Sequence, residues 1–279
     1  TIYPGNLPKI HLPTYPFAEN YVWLPYSQGL EDTPDGLFHV KRWEKESLDL
    51  KTAHGGKKVS TVLIFYHPSE DFTPLTSLFN ERNIEVIEVF SAEGYQRTGQ
   101  QFFLDYSPDA MARLFQEIKD SAVDTILFTH TIYEGDVCSV EQLNERLETG
   151  FFCTITLIQG LVKARCKNNL ELVFLCRNAF AVSGDETELH PECATVIGLG
   201  KVIEQEFPNI LCRAIDIGDD WNPVQIIDEV MSPDTKPYLV GFRKGERYVE
   251  VLDEIFPDQS HEMIRKDGNY LITGGTSGI

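Results

Sequence analysis

The chain has 279 residues, enough for one large domain or two ordinary ones, and 42% of them are apolar, so a full core can form. Acidic residues outnumber Lys and Arg 43 to 24, a formal charge of −19, and a body this acidic repels nucleic-acid backbones and anionic lipid surfaces. No apolar run approaches the roughly 18 residues of a membrane span, and no basic stretch followed by an apolar leader is visible, so a cytoplasmic protein without nucleic-acid or membrane partners is expected.

Residues 1–35 form a distinct segment, with Pro4, Pro8, Pro13, Pro16, Pro25 and Pro34 interleaved with Tyr15, Phe17, Tyr21 and Trp23. Proline at this density blocks helix and central strand, and the aromatics predict an extended connector laid on a neighbouring surface. From Phe38 to Trp43 the sequence alternates as an opening strand does. Val59–Tyr66 reads as a buried strand, Thr73–Glu81 as a helix and Ile84–Phe90 as the next strand. Pro108 and Asp109 open a helix through Met111, Leu114, Phe115 and Ile118. Asp124–His130 is a strand, Val140–Lys163 a long helical stretch, and Leu170–Cys176 a strand. Pro191 opens a helix to Glu206, Ile210–Ile217 is a strand, and Trp221–Met231 is helical. Tyr238–Phe242 and Arg247–Leu252, flanking Arg243-Lys244-Gly245-Glu246, predict a β-hairpin.

Short apolar strands alternating with helices predict an α/β fold, a mostly parallel sheet with right-handed crossovers, helices on both faces and a terminal hairpin. A dinucleotide-binding domain carries clustered glycines in its first strand-to-helix turn. Here that turn reads His67-Pro68-Ser69-Glu70-Asp71, without a glycine and with two acids. The later turns place Glu93 after Phe90, and Glu134 and Asp136 after His130. The body is therefore expected to be a truncated Rossmann-like, or pseudo-Rossmann, sheet without a nucleotide site.

Other chemistry is weakly signalled. Cys138, Cys153, Cys166, Cys176, Cys193 and Cys212 form no C-x-x-C pair and are expected to be reduced, mostly buried thiols. His261-Glu262 lacks the second histidine of a zincin motif, and no metal site is expected. Ser183 is expected in a turn, and Gly198-Leu199-Gly200, inside a predicted helix, is expected to permit close packing. Lys163, Arg165 and Lys167 read as a solvated helix end.

The final ten residues, Tyr270-Leu271-Ile272-Thr273-Gly274-Gly275-Thr276-Ser277-Gly278-Ile279, differ from all of this. An apolar run feeding a glycine-rich turn opens a nucleotide-binding βα unit, so Tyr270–Ile272 is expected to be a buried strand. Thr273 to Ile279 is then the incomplete start of a cofactor cradle. Starting at Thr1 and stopping within this motif, the chain reads as a piece of a longer protein.

Several segments resemble the N-terminal structural half of a ketoreductase domain from a modular polyketide synthase. They are Pro191 through Glu206 and Pro208 to Asp216, Phe174 to Ala179, Gly241 to Val249, and Asp267 to Gly275. Leu12-Pro13-Thr14-Tyr15-Pro16-Phe17 resembles the linker that follows ketosynthase domains, in an order similar to synthases whose acyltransferase acts in trans. The resemblance implies three parts: a post-ketosynthase linker (1–35), a structural subdomain (36–263), and the first strand and turn of a catalytic short-chain-dehydrogenase-like half (264–279). It implies that the complete domain uses NADPH to reduce the β-keto group of a carrier-protein-bound intermediate. Thr273, Gly274, Gly275, Thr276, Ser277, Gly278 and Ile279 match the start of its cofactor motif. No catalytic Ser, Tyr or Lys is assignable, so this stretch alone is expected to be inactive and to bind no cofactor. Its implied partners are the catalytic half, the upstream ketosynthase and an acyl carrier protein. The alternatives are a nucleotide-binding module built on Gly274–Gly278 and an independent flavodoxin-like domain.

Overall fold

A computed structural model describes residues 38–48, 59–67, 72–232, 237–255 and 267–271. The chain divides into a compact unit, His39–Glu254, and a second unit comprising Thr1–Phe38 and Ile255–Ile279, most of which lies outside the described residues. In chain order the elements are β1 (Phe38–Lys45), β2 (Thr61–Tyr66), α1 (Thr73–Glu81), β3 (Glu85–Ser91), β4 (Tyr95–Thr98), β5 (Gln101–Leu104) and α2 (Pro108–Glu117). There follow β6 (Thr125–Thr131), α3 (Val140–Leu147), a π-helical turn (Glu148–Phe152), α4 (Cys153–Lys163), β7 (Leu170–Arg177) and α5 (Cys193–Glu206). The last are β8 (Ile210–Ile217), α6 (Pro223–Val230), β9 (Leu239–Arg243) and β10 (Glu246–Ile255).

The strands form one sheet in the order β1-β10-β9-β8-β7-β6-β2-β3-β5-β4. β5, β3, β2, β6, β7, β8 and β9 run parallel, while β4 and β10 are antiparallel to their neighbours β5 and β9. Numbered among themselves, the parallel strands follow the doubly wound order 3-2-1-4-5-6, extended by one, rather than the flavodoxin-like order 2-1-3-4-5. The central strands β2 and β6 are buried at every position, as strands covered on both faces must be.

Alternate residues of each central strand feed two cores. On one face Leu63, Phe65 and Phe128 pack with Leu114 of α2, Leu157 of α4 and Val196 of α5. On the other, Val62, Ile64 and Val173 pack with Leu75 and Phe79 of α1 and Ile226, Ile227 and Val230 of α6. The expectation of uniformly right-handed crossovers does not hold. β7-α5-β8 and β8-α6-β9 step the same way across the sheet, yet α5 and α6 lie on opposite faces, so the two crossovers have opposite hands. The face α6 avoids is already covered. A Cβ on Gly241 of β9 would lie 3.0 Å from Val182 and 3.4 Å from Trp43.

Three further features depart from the sequence reading. The sequence reading places no element between Phe90 and Pro108, where the structure has the short strand β4 paired back onto β5. The long helix over 140–163 is broken by its π-helical turn. α3 before that turn buries no residue, whereas α4 after it buries Leu157, Ile158 and Leu161, so the added residue re-aims the apolar face onto the sheet. α5 begins at Cys193, two residues beyond the predicted Pro191. The β9–β10 turn has Lys244 at φ 52° and Gly245 at φ 76°, the two left-handed residues of a tight hairpin.

In the second unit, Tyr270 and Leu271 are not in a strand, and Leu271 is 93% exposed. Ile272 lies outside the described residues.

Candidate functional site

In a sheet of this order, ligands bind beyond the carboxyl ends of the strands where the order reverses, here between β2 and β6. Side chains fill that crevice. The Thr129 hydroxyl accepts from the His67 amide at 2.9 Å and donates to the Phe65 carbonyl at 2.8 Å. The amide that begins the first turn is thereby consumed within the protein. His130, 2% exposed, sets Nε2 3.0 Å from the Tyr66 carbonyl and 3.1 Å from the Tyr106 hydroxyl. A carbonyl can only accept, so the proton sits on Nε2. Nδ1 then has no hydrogen-bond partner among the described residues.

The ring lies among Phe65, Phe128, Tyr106 and His67. Burial, followed by the nearby His67, pulls the His130 pKa down to about 3, against the Tyr66 carbonyl. Burial and then Arg177 lower His67 as well. Both imidazoles are therefore neutral near pH 7 and offer no charge to a phosphate.

The helix N-termini beside the crevice are also occupied. Pro74 in the first turn of α1 has no N–H to give, and Phe72 at its cap packs on Tyr66 at 6.0 Å and Trp221 at 5.8 Å. At α5 the cap residue Glu192 ion-pairs with Arg146. Arg146 also reaches His190 at 3.1 Å and the Glu134 carbonyl at 2.8 Å. The Tyr133 hydroxyl donates to the Arg146 carbonyl at 2.6 Å and would lie only 2.6 Å from a Cβ on Gly150, so the π-helical turn closes tightly over the crevice.

Farther along the same edge, Arg243 binds Asp216 at 2.8 Å and Glu186 at 2.9 Å, and donates to the Phe180 carbonyl at 3.0 Å. Asp216 also accepts from the Ala179 amide at 2.8 Å. Burial pushes its carboxyl up to about 6, against Arg243 and these amides. Burial would raise Glu186 too, but the amides of Ser183, Val182 and Gly184 hold it down to about 2. This cluster fastens the loop after β7 across β8 and β9. An adjoining cavity of about 310 Å³ is lined by Asp185, Glu186, Asp219 and Asp220, with Arg243 and Lys244. Carboxylates dominate it, and a pyrophosphate would be repelled.

No activated nucleophile emerges among the described residues. Burial raises the Cys153, Cys193 and Cys212 thiols, and Cys193 Sγ contacts the Thr131 carbonyl at 3.3 Å. The six thiols are unpaired. Among the described residues no cluster could hold a metal, and no helix is long and apolar enough to cross a membrane.

The sequence-derived residues separate. His67 and His130 come together at the order reversal, with Glu134 at its exposed rim. Pro68 to Asp71, His261-Glu262, and the whole cofactor set Thr273, Gly274, Gly275, Thr276, Ser277, Gly278 and Ile279 lie outside the described residues, as does the linker 1–35. Ser183 lies in a loop, its hydroxyl beside Asp185 and Glu186. Of the helical pair, Gly200 meets the close approach: an added Cβ would sit 2.8 Å from Phe174, while Gly198 faces open space. Arg146 and Tyr106 were not singled out by sequence, and Arg243 was read only as part of a hairpin turn. Their bonds to Gly135, His130 and Phe180 span 11, 24 and 63 positions.

The family model described as "Beta-ketoacyl synthase-like, N-terminal" matches residues 60–234, more than half the chain. The chain is 22% identical over 97% of its length to polyketide synthase PksM of Bacillus subtilis (strain 168). It is 30% identical over 52% of its length to the PKS-NRPS hybrid synthetase acdB of Aspergillus candidus. It spans 6% of each of those proteins. Among solved structures, an N-terminal ketoreductase from the macrolactin assembly line superposes with a TM-score of 0.64 at 15% identity, over 78% of this chain and 44% of that one. A keto acid-selecting NRPS module containing a ketoreductase gives a TM-score of 0.66 at 19% identity, over 78% of this chain and 18% of that one. The chain belongs to the beta-ketoacyl synthase-like, N-terminal family, and its fold is that of the ketoreductase structures it superposes on.

Proposed function

We propose that this chain is the structural, non-catalytic portion of a polyketide synthase ketoreductase. The observation that carries the reading is the crevice between β2 and β6. There the His67 amide is bonded to Thr129 and the His130 ring fills the space, so the described residues do not fit a dinucleotide. The body's role is to hold the catalytic half that follows it and to join it, through residues 1–35, to an upstream ketosynthase. NADPH supplies hydride to a β-keto intermediate on an acyl carrier protein only in the complete domain, with Thr273 to Gly278 opening the cofactor cradle. The cytoplasm is its proposed compartment.

The test is a fluorescence titration with NADPH, comparing this chain with one extended by about 200 residues, the size of a further domain. The extended chain is expected to bind NADPH and reduce a model ketone, and this chain to do neither. Tight NADPH binding by this chain alone would overturn the scaffold reading.

A further inference from the structure

At the opposite edge of the sheet, below the amino ends of β6 and β7, lies a cavity of about 350 Å³. α2 and α4 pack so closely that a Cβ on Gly160 would meet Met111 at 2.6 Å, and this contact brings their carboxyl ends together. The cavity floor is apolar: Phe115, Ile118, Ile126, Leu161 and Leu170, each at most 7% exposed. Three cations line its mouth, Lys119 after α2 and Arg165 and Lys167 after α4. In a chain of net charge −19, none of the three forms an ion pair among the described residues, and Asp120 is the sole acid in the lining. Lys163, their sequence neighbour, instead pairs with Asp109, away from the cavity.

Cations at helix carboxyl ends are common because they offset the negative end of the dipole. That accounts for each charge singly. It does not account for an open, apolar-floored cavity on which three unpaired charges from two helices converge. The volume is within the range of small-ligand sites, which are apolar with a few convergent polar groups. We propose that this cavity binds a small amphipathic anion, with a carboxylate, sulfonate or phosphate head among Lys119, Arg165 and Lys167 and a short aliphatic or aryl body on the floor. The proposal is independent of the scaffold reading, because the cavity lies at the other end of the strands from the crevice on which that reading rests.

The test uses the full 279-residue chain. Anilinonaphthalene sulfonate serves as fluorescent probe, and octanoate, octanol and octylamine as competitors. Expected is saturable binding of one probe per chain, displaced by octanoate and at least tenfold less well by octanol or octylamine. The double charge reversal Arg165→Glu with Lys167→Glu, at exposed positions, is expected to weaken binding at least tenfold, whereas Lys201→Glu on α5 leaves it unchanged. Cys166 lines the cavity and reports location: octanoate should slow its alkylation by iodoacetamide while exposed Cys138 reacts as before. Binding that survives the double reversal, displacement by octanol as readily as by octanoate, no protection of Cys166, or no saturable binding would each overturn the proposal.

Discussion

Protonation of His130 offers a quantitative test of how tightly the β2–β6 crevice is closed. An imidazole in water titrates near 6.5, while in the folded chain His130 is held down to about 3. Between those values the unfolded chain carries a proton that the folded chain refuses, so stability falls as pH falls. Integrating that difference gives a loss of about 2 kcal/mol between pH 7 and pH 5 from this one residue. His130→Phe keeps a ring among Phe65, Phe128 and Tyr106 but removes both the titration and the bond to the Tyr66 carbonyl. It should cost about 1–3 kcal/mol at pH 7 and flatten the acid slope by about 2 kcal/mol. Urea unfolding of both proteins at pH 7, 6 and 5, followed by far-UV circular dichroism, measures the double difference. His67 and His190 titrate in both proteins and largely cancel. Parallel loss of stability in the two proteins would refute the reasoning, because His130 would then take up its proton without leaving a closed site.

Other consequences concern the buried charges and the close contacts. Arg213 joins Glu171 to Glu229, which Arg247 also binds at 2.8 Å, all of them nearly inaccessible. Arg213→Met should cost about 3–5 kcal/mol in a urea melt, since it leaves buried carboxylates without their cation. Glu186, held down to about 2 against an ordinary 4.5, contributes stability above pH 4.5 that is lost as pH falls towards 2. Glu186→Gln should therefore lower stability at pH 7 by about 1–3 kcal/mol and shrink the loss between pH 4.5 and 2, measured by thermal melts across that window. Gly160→Ala should destabilise by about 1–3 kcal/mol through its clash with Met111. Gly198→Ala, facing open space in α5, should instead stabilise by up to about 1 kcal/mol, so melting temperatures of the two variants move in opposite directions.

Much of this fold is legible because local patterns carry it. Thr73–Glu81 and Ile210–Ile217 match α1 and β8 residue for residue, since a proline-opened amphipathic turn and a continuous apolar run depend little on distant partners. Phe102 and Leu104 of β5 alternate as a strand does, but over four residues, too short a signal to stand out beside the longer runs.

The order of residues by itself determined the alternation of strand and helix, the glycine-free, acidic first turn, and the resemblance to a ketoreductase's structural half. These are properties of contiguous segments, whose periodicity and turn chemistry act over a few residues. Only the tertiary structure decided that His130 seals the crevice, that Arg243 fastens the loop after β7, that α6 crosses to the face left open, and that Lys119 joins Arg165 and Lys167 at one cavity. Each of these joins residues far apart in the chain, and their meeting depends on strand order and helix packing, which no local stretch encodes.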